Sequence, residues 1–255
     1  MGSETRARRL VGVSLKMYFD IPKTERYLQA VSDFASHASS LNVDAFVIPD
    51  FVTILRAQQI LGNDGIKYGA QDAFWEDSGA YTGEVSPAVL KQAGCTYIEL
   101  GHAERRRIFG ETDEYVAKKA AAASKHGLVP LVCIGERTRG ANALEATGLA
   151  VEECRPQVES LLNAVPDEAE VVLAYEPVWA IGQSEPASAD HVVAVTKELR
   201  KLCAGRKGLV RLLYGGSAGP GLFAHLSEGV DGLFLGRFAH EVAAFKSVIT
   251  ELGEL

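Results

Sequence analysis

Apolar residues gather in short runs rich in Val, Ile, Leu, Phe and Tyr near positions 10–17, 43–48, 66–70, 95–100, 128–134, 170–175, 209–214 and 230–235. Each run has the length of a β-strand. Between them lie longer mixed segments with apolar residues at helical spacing, near 22–40, 52–62, 86–94, 113–126, 143–163, 188–204, 219–228 and 239–252. Several of these open on Pro, Ser, Thr or Asp and close on Gly, the residues that start and stop helices. The order strand then helix therefore repeats eight times along the chain. Runs such as LVPLVCI (128–134) and VVLAY (171–175) are apolar without alternation, as parallel strands buried on both faces are. Eight such units in 255 residues predict an α/β fold, a (β/α)8 barrel of eight parallel strands ringed by eight helices. An open doubly wound sheet fits less well, because no GxGxxG follows the first strand. No linker or shift in composition divides the chain, so residues 10–255 read as one barrel domain and residues 1–9 as a flexible N-terminus.

Composition narrows the function classes. With 47% hydrophobic and 23% charged residues and a mean hydropathy of +0.03, the chain suits a soluble globular protein with a substantial core. A net charge of −7 opposes general attraction to nucleic acid or anionic membrane, while a local cationic pocket for a small anion survives such an average. No run approaches the length of a membrane span. Four cysteines, Cys95, Cys133, Cys154 and Cys203, are widely spaced. They form no CxxC or His/Cys pattern for a metal and read as reduced thiols of a cytoplasmic protein.

In such a barrel, polar residues at the C-terminal ends of the strands face one site. Ser14 and Lys16 end the first run, and a cation there can hold a phosphate or an oxyanion. Taken alone, Lys16 fits equally well a surface lysine whose stem covers apolar neighbours, and it could also serve as a Schiff-base nucleophile. In YIELGHAERRRIFGE (97–111) His102 stands just past the fourth run, where a helix start beneath it disfavours the imidazolium. Glu104 is placed to contact Lys16, and Arg105, Arg106 and Arg107 read mainly as structural or solvent-facing charges. Glu176 ends VVLAYE and leads into the apolar loop PVWAIGQ with Gly182 near its far end. A carboxylate stripped of water by a closing loop becomes a stronger base toward a proton next to a carbonyl. After the seventh and eighth runs come YGGSAGP (214–220) and LGRFAHE (235–241). There Gly215, Gly216, Ser217 and Gly236 offer backbone amides and a hydroxyl to a phosphate.

From Val11 to Glu241 the chain resembles the triosephosphate isomerase family. The resemblance rests on SLKM (14–17), GAQDA (69–73), AYTGEVSPAVLK (80–91), YIELGHAERR (97–106), VCIGE (132–136), AYEPVWAIG (174–182), YGGSA (214–218) and VDGLFLGR (230–237). It implies an isomerase without cofactor or metal, with Lys16 as electrostatic stabiliser, His102 as neutral electrophile, Glu176 as base and residues 177–183 as a closing lid. The glutamate and histidine roles are those known for this family and come with the resemblance. The resemblance also implies a homodimer in which the segment AFWEDSGAYTG (73–83) enters the partner, with Thr82 at its tip. The cluster of Phe74, Trp75 and Tyr81 is itself costly to leave hydrated.

Four positions depart from the family's usual pattern. Ser14 and Leu15 stand where asparagine and tryptophan are usual, Ala103 stands for serine, and Arg237 replaces the second glycine of a pair beside the phosphate site. Together these resemble the branch acting on four-carbon ketose phosphates such as L-erythrulose 1-phosphate. The expectation is therefore a proton-transferring isomerase of a small phosphorylated ketose, with the four-carbon substrate preferred over the triose phosphates. A Schiff-base aldolase using Lys16 and a catalytically silent phosphate-sugar binding protein are the alternative classes. Retention of Lys16, His102 and Glu176 together speaks against the silent protein.

Overall fold

The computed structural model describes residues 8–62, 65–181 and 187–255. Eight parallel strands close into a barrel in sequence order. They are β1 (Arg9–Ser14), β2 (Val43–Ile48), β3 (Lys67–Ala70), β4 (Tyr97–Leu100), β5 (Val129–Ile134), β6 (Val171–Tyr175), β7 (Val210–Tyr214) and β8 (Gly232–Leu235). The ring closes where Leu10 to Val13 of β1 run beside Gly232 to Leu235 of β8. Around it lie α1 (Ile21–Ser32), α2 (Ala35–Ser40), α3 (Ile54–Leu61), α4 (Pro87–Gln92), α5 (Ala103–Phe109), α6 (Asp113–Lys125), α7 (Ala143–Ala164), α8 (Ala189–Leu202), α9 (Phe223–Leu226) and α10 (Val242–Glu254). Among the described residues no helix is long and apolar enough to cross a membrane.

The lack of alternation in the strands has a direct cause, since both faces are buried in separate apolar layers. Leu10, Phe46, Tyr97, Leu131, Val172, Leu213 and Phe234 fill the barrel interior. Val11, Val13, Val47, Ile98, Val132, Leu173 and Leu212 point outward and pack with the helices. The ring of Phe46 crosses the interior onto Gly12, where a Cβ would stand 2.0 Å from its Cζ. Gly12 is thus a requirement of interior packing rather than of backbone conformation.

Helix starts follow local chemistry. Asp20, Thr112, Asn142 and Ser188 each accept a hydrogen bond from a backbone N–H in the first turn of α1, α6, α7 and α8, satisfying donors that have no partner within the helix. Glu145 returns a bond to the N–H of Ala141 at 3.0 Å, completing a reciprocal cap on α7.

Four expectations shift. The segment 22–40 forms two helices, α1 and α2. The charged run after His102 forms a helix of its own, α5, before α6. The segment 219–228 shortens to α9, Phe223–Leu226. At the N-terminus the boundary at residue 10 is too late, because Arg9 already lies in β1, is buried, and donates from Nη1 to the carbonyl of Val230 at 3.0 Å. Arg8 reaches Asp44 at 3.2 Å. Residues 1–7 lie outside the described residues.

Candidate active site

The C-terminal mouth of the barrel opens into a cavity of about 630 Å³ lined by Ser14, Lys16, Glu99, His102, Glu104, Glu176 and the turns after β7 and β8. Lys16 lies two residues past β1 with φ of +50°, a left-handed conformation that costs a non-glycine residue energy and persists only when its surroundings hold it. Part of that hold is Gln71, whose side-chain amide donates to the Lys16 carbonyl at 2.9 Å. The ammonium Nζ meets Glu104 Oε1 at 2.9 Å. Burial alone lowers the Lys16 pKa, but the hydrogen bond to Glu104 and the charges of Glu104, Glu176 and Glu99 outweigh it and leave the pKa raised. Glu104 in turn is shifted below the usual carboxylate value, its partial burial overcome by Lys16 and His102.

His102 caps α5. The Glu104 backbone N–H donates to its Nδ1 at 3.1 Å, so that nitrogen carries no proton and Nε2 holds the hydrogen of a neutral ring. Nε2 stands 3.6 Å from Glu176 Oε2. Glu176 follows β6 directly and is only 3% exposed. Its side chain fits because residue 215 is glycine, where a Cβ would lie 2.9 Å from Glu176 Cγ. The loop beyond Glu176 begins as a 3-10 turn, Val178–Ala180, tied down by Trp179 Nε1 donating to Glu136 Oε1 at 2.7 Å. The same oxygen accepts from the Tyr175 hydroxyl at 3.1 Å. Gly182 lies outside the described residues.

On the opposite side, Gly215, Gly216, Ser217, Gly236 and Arg237 also line the cavity. Arg237 opens a 3-10 turn, Arg237–His240, and is exposed. The short α9 begins only at Phe223, so the amides after β7 belong to a turn rather than to a helix start. Thr82 is exposed and does not line this cavity. Near it the aromatic cluster is partly self-covered, with the Phe74 and Trp75 rings stacked at 4.2 Å, Tyr81 at 4.6 Å from Phe74, and Tyr115 at 5.2 Å from Trp75. Of the arginine run, Arg105 pairs with Asp72 and Glu111 at 2.8 and 2.7 Å, and Arg106 with Asp113 at 2.6 Å. Those two hold structure, and Arg107 is solvent-exposed.

Three residues escape the sequence reading. Glu99, an acid in the middle of the apolar strand YIEL, points into the cavity and accepts a hydrogen bond from the Ser14 hydroxyl at 2.8 Å. Cys133 packs in the barrel interior, and burial together with the carboxylates of Glu176 and Glu99 pushes its thiol pKa well up. Glu136 anchors the loop after Glu176. A charged residue interrupting an apolar strand was the available signal for Glu99. Glu136 carried none beyond its place after β5. All four cysteines are buried and free.

A cation, a neutral imidazole and a buried carboxylate thus face one another across a cavity with glycine-lined turns opposite. This set can take a proton from carbon while holding the negative charge that develops on oxygen. The chain is 45% identical over 249 residues to the L-erythrulose-1-phosphate isomerase of Pectobacterium atrosepticum, covering 94% of each chain. It is 41% identical over 251 residues to the Rhizobium etli protein of that name, covering 95% of this chain and 91% of the relative. The Brucella abortus protein of that name is 39% identical over 245 residues, covering 94% of each. The family model described as triosephosphate isomerase matches residues 9–252. The chain belongs to the triosephosphate isomerase family.

Proposed function

We propose that the protein isomerises a four-carbon ketose phosphate, L-erythrulose 1-phosphate, by moving a proton between adjacent carbons through an enediolate. The observation that carries the chemistry is the 3.6 Å approach of Glu176 Oε2 to His102 Nε2 in the cavity that also holds Lys16. The four-carbon assignment is supported by the likeness to proteins named L-erythrulose-1-phosphate isomerase and by Ser14, whose short side chain leaves room beside the reacting carbons.

The substrate carries its phosphate on C1, its ketone at C2, a hydroxyl on C3 and a hydroxymethyl as C4. The Glu176 carboxylate takes the C3 proton. The electron pair of that C–H bond forms the C2=C3 double bond, and the ketone oxygen becomes an oxyanion. Lys16 neutralises that charge, and His102 donates its Nε2 proton to the C2 oxygen and takes the proton of the C3 hydroxyl in exchange. Glu176 then returns its proton to C2, leaving the carbonyl at C3. The product is again a ketose, with its carbonyl one carbon farther from the phosphate, and nothing is oxidised or reduced overall. Gly215, Gly216, Ser217, Gly236 and Arg237 hold the phosphate, and the loop that begins at Pro177 excludes water.

Assay of the purified protein side by side on L-erythrulose 1-phosphate and dihydroxyacetone phosphate tests the reading. The expected result is a higher kcat/KM for the tetrulose phosphate, with Ser14→Asn moving the ratio toward the triose by roughly 10-fold. Rapid triose turnover with no activity on the tetrulose phosphate would make the protein a triosephosphate isomerase in activity as well as in family. Borohydride trapping of a Lys16 adduct would point instead to the aldolase class.

We further propose a homodimer built on residues 73–83. Its support is the exposed Thr82 and Tyr81 beside the stacked Phe74 and Trp75 rings, and Met17, which is 95% exposed next to Lys16. A Thr82→Arg variant is expected to shift light scattering toward monomer and to lower activity, since an unpaired charge in a packed interface is costly. An active wild-type monomer at assay concentration removes the dimer. The four buried free thiols suit a reducing compartment, and we read the enzyme as cytoplasmic.

A further inference from the structure

Glu99 is a buried acid of the cavity to which the isomerisation chemistry above gives no task. It is 3% exposed and sits on β4, two residues after Tyr97 of the barrel interior and three before His102. Its neighbours Ile98 and Leu100 face the helices, so strand alternation aims Glu99 inward. The hydroxyl of Ser14, reaching across from β1, donates to Oε2 at 2.8 Å. A carboxyl at this depth is expensive unless something at the site uses it. An apolar residue would satisfy β4, as Leu131 does on β5 and Val172 on β6.

The barrel's topology says which part of a substrate Glu99 meets. The glycine-rich turns that take the phosphate follow β7 and β8. In a closed ring of eight strands, β4 stands four strands from β8, on the far side. A ketose phosphate held by its phosphate at β7 and β8 extends its carbon chain toward β4. The carbon most distant from the phosphate therefore arrives at Glu99 and Ser14. In a triose phosphate that position is empty, and in a tetrulose 1-phosphate it holds the C4 hydroxymethyl.

We propose that Glu99, positioned by Ser14, is a specificity-determining residue that binds the terminal hydroxyl of the four-carbon substrate. The inference rests on the four-carbon reading of the function. A hydroxyl suits such a partner because it donates to a carboxylate and accepts from a carboxylic acid. Burial pushes the Glu99 pKa upward, against the opposing influence of His102 and the Ser14 hydrogen bond, and either protonation state can engage the hydroxyl. A substrate lacking it leaves a buried carboxyl without its ligand, a mismatch that discriminates far more strongly than spare apolar volume.

The test pairs a change in the protein with a change in the substrate. Wild type, Glu99→Val and the isosteric Glu99→Gln are assayed on L-erythrulose 1-phosphate, on its 4-deoxy analogue, in which a methyl replaces the hydroxymethyl, and on dihydroxyacetone phosphate. Wild type is expected to lose about 10²-fold in kcat/KM on the 4-deoxy analogue. Glu99→Val should lose a similar factor on the full substrate, and should no longer distinguish it from the analogue. Its preference for tetrulose over triose phosphate should fall by a comparable factor. Glu99→Gln, which keeps volume and hydrogen-bonding groups, is expected to retain part of the discrimination and guards against a folding defect in the valine variant. If both variants discriminate against the 4-deoxy analogue as strongly as wild type does, Glu99 does not bind the C4 hydroxyl and the inference fails while the four-carbon reading stands. If wild type ignores the tetrulose phosphate altogether, the reading fails and takes the inference with it.

Discussion

The barrel buries charge at both ends, and the two ends treat it differently. At the N-terminal end Arg211 of β7 projects inward on the same face as Leu213, with Leu212 between them facing the helices. Its Nη1 meets Asp44 at 2.9 Å, and its Nη2 meets the Tyr97 hydroxyl at 3.1 Å and the carboxylate of Glu170. Its charge is matched by fixed oxygens from β2 and from the residue before β6, and that end is a plug. At the C-terminal end Lys16, Glu104, Glu176, Glu99 and His102 converge without filling the space between them, and a cavity of about 630 Å³ remains. Paired charge that closes on itself serves packing. Charge that faces an opening is available to a ligand, and there perturbed ionisation marks function.

The sharpest way to break this comparison is to remove one charge from each end. Glu176→Gln is expected to lower kcat by about 10²–10⁴ or more, because an amide cannot accept the proton. Its melting temperature should stay close to that of wild type, since the change takes away a buried charge rather than stranding one. Steady-state kinetics and a thermal melt on the same sample separate the two effects. Near-normal turnover in the folded variant eliminates Glu176 as the base.

Arg211→Met should do the reverse. It strands Glu170 and the Tyr97 phenol and leaves Asp44 to Arg8 alone, and a fully buried pair broken in this way costs roughly 3–5 kcal/mol. Asp44 and Glu170 are each about a third exposed, so solvent screening brings the expected loss to about 2 kcal/mol. For a chain of this length that is a drop in melting temperature of roughly 5 °C, with kcat retained at low temperature. A large loss of kcat at unchanged stability would mean that the N-terminal end communicates with the site, and the contrast between the ends would fall.

How much of this was legible in the sequence follows from the same distinction. The eight strands could be read because both faces of each are apolar, and runs such as VVLAY carry that in one dimension. Lys16, His102 and Glu176 could be located because each stands within two residues of the end of a strand. What escaped was set by contacts distant in sequence. Ser14 and Glu99 meet across 85 positions, from opposite parts of the barrel, and no local pattern announces such a pair. The division of 22–40 into α1 and α2 and the shortening of the segment after β7 to Phe223–Leu226 are decided by packing, which overrides helical spacing. Arg211 lay inside an apolar strand, as Glu99 did, and in both cases the interrupting charge was the visible sign of an inward-facing polar contact.

The smallest expected effect concerns pH and refines the picture of the C-terminal end. Lys16 has a pKa raised above its ordinary 10.5, and Glu104 one lowered beneath its ordinary 4.5. A raised lysine stabilises the fold fully below its unfolded value and loses that contribution as pH rises through the folded value. A lowered glutamate contributes above its unfolded value and loses that contribution as pH falls through the folded one. Between about pH 4.5 and 10.5 the pair is therefore intact, and a decline of kcat/KM anywhere inside that window does not come from Lys16 losing its proton. Glu104→Gln changes this. It removes the charge that raises the lysine and leaves only a neutral amide oxygen to accept from its ammonium, so that burial, which lowers it, weighs more heavily. The alkaline limb of the kcat/KM profile should move to lower pH in this variant, while the backbone N–H of residue 104 still holds His102 Nδ1. Profiles of wild type and variant measured from pH 6 to 11 check the sign, and an alkaline limb that does not move would show that Glu104 leaves the charge of Lys16 untouched.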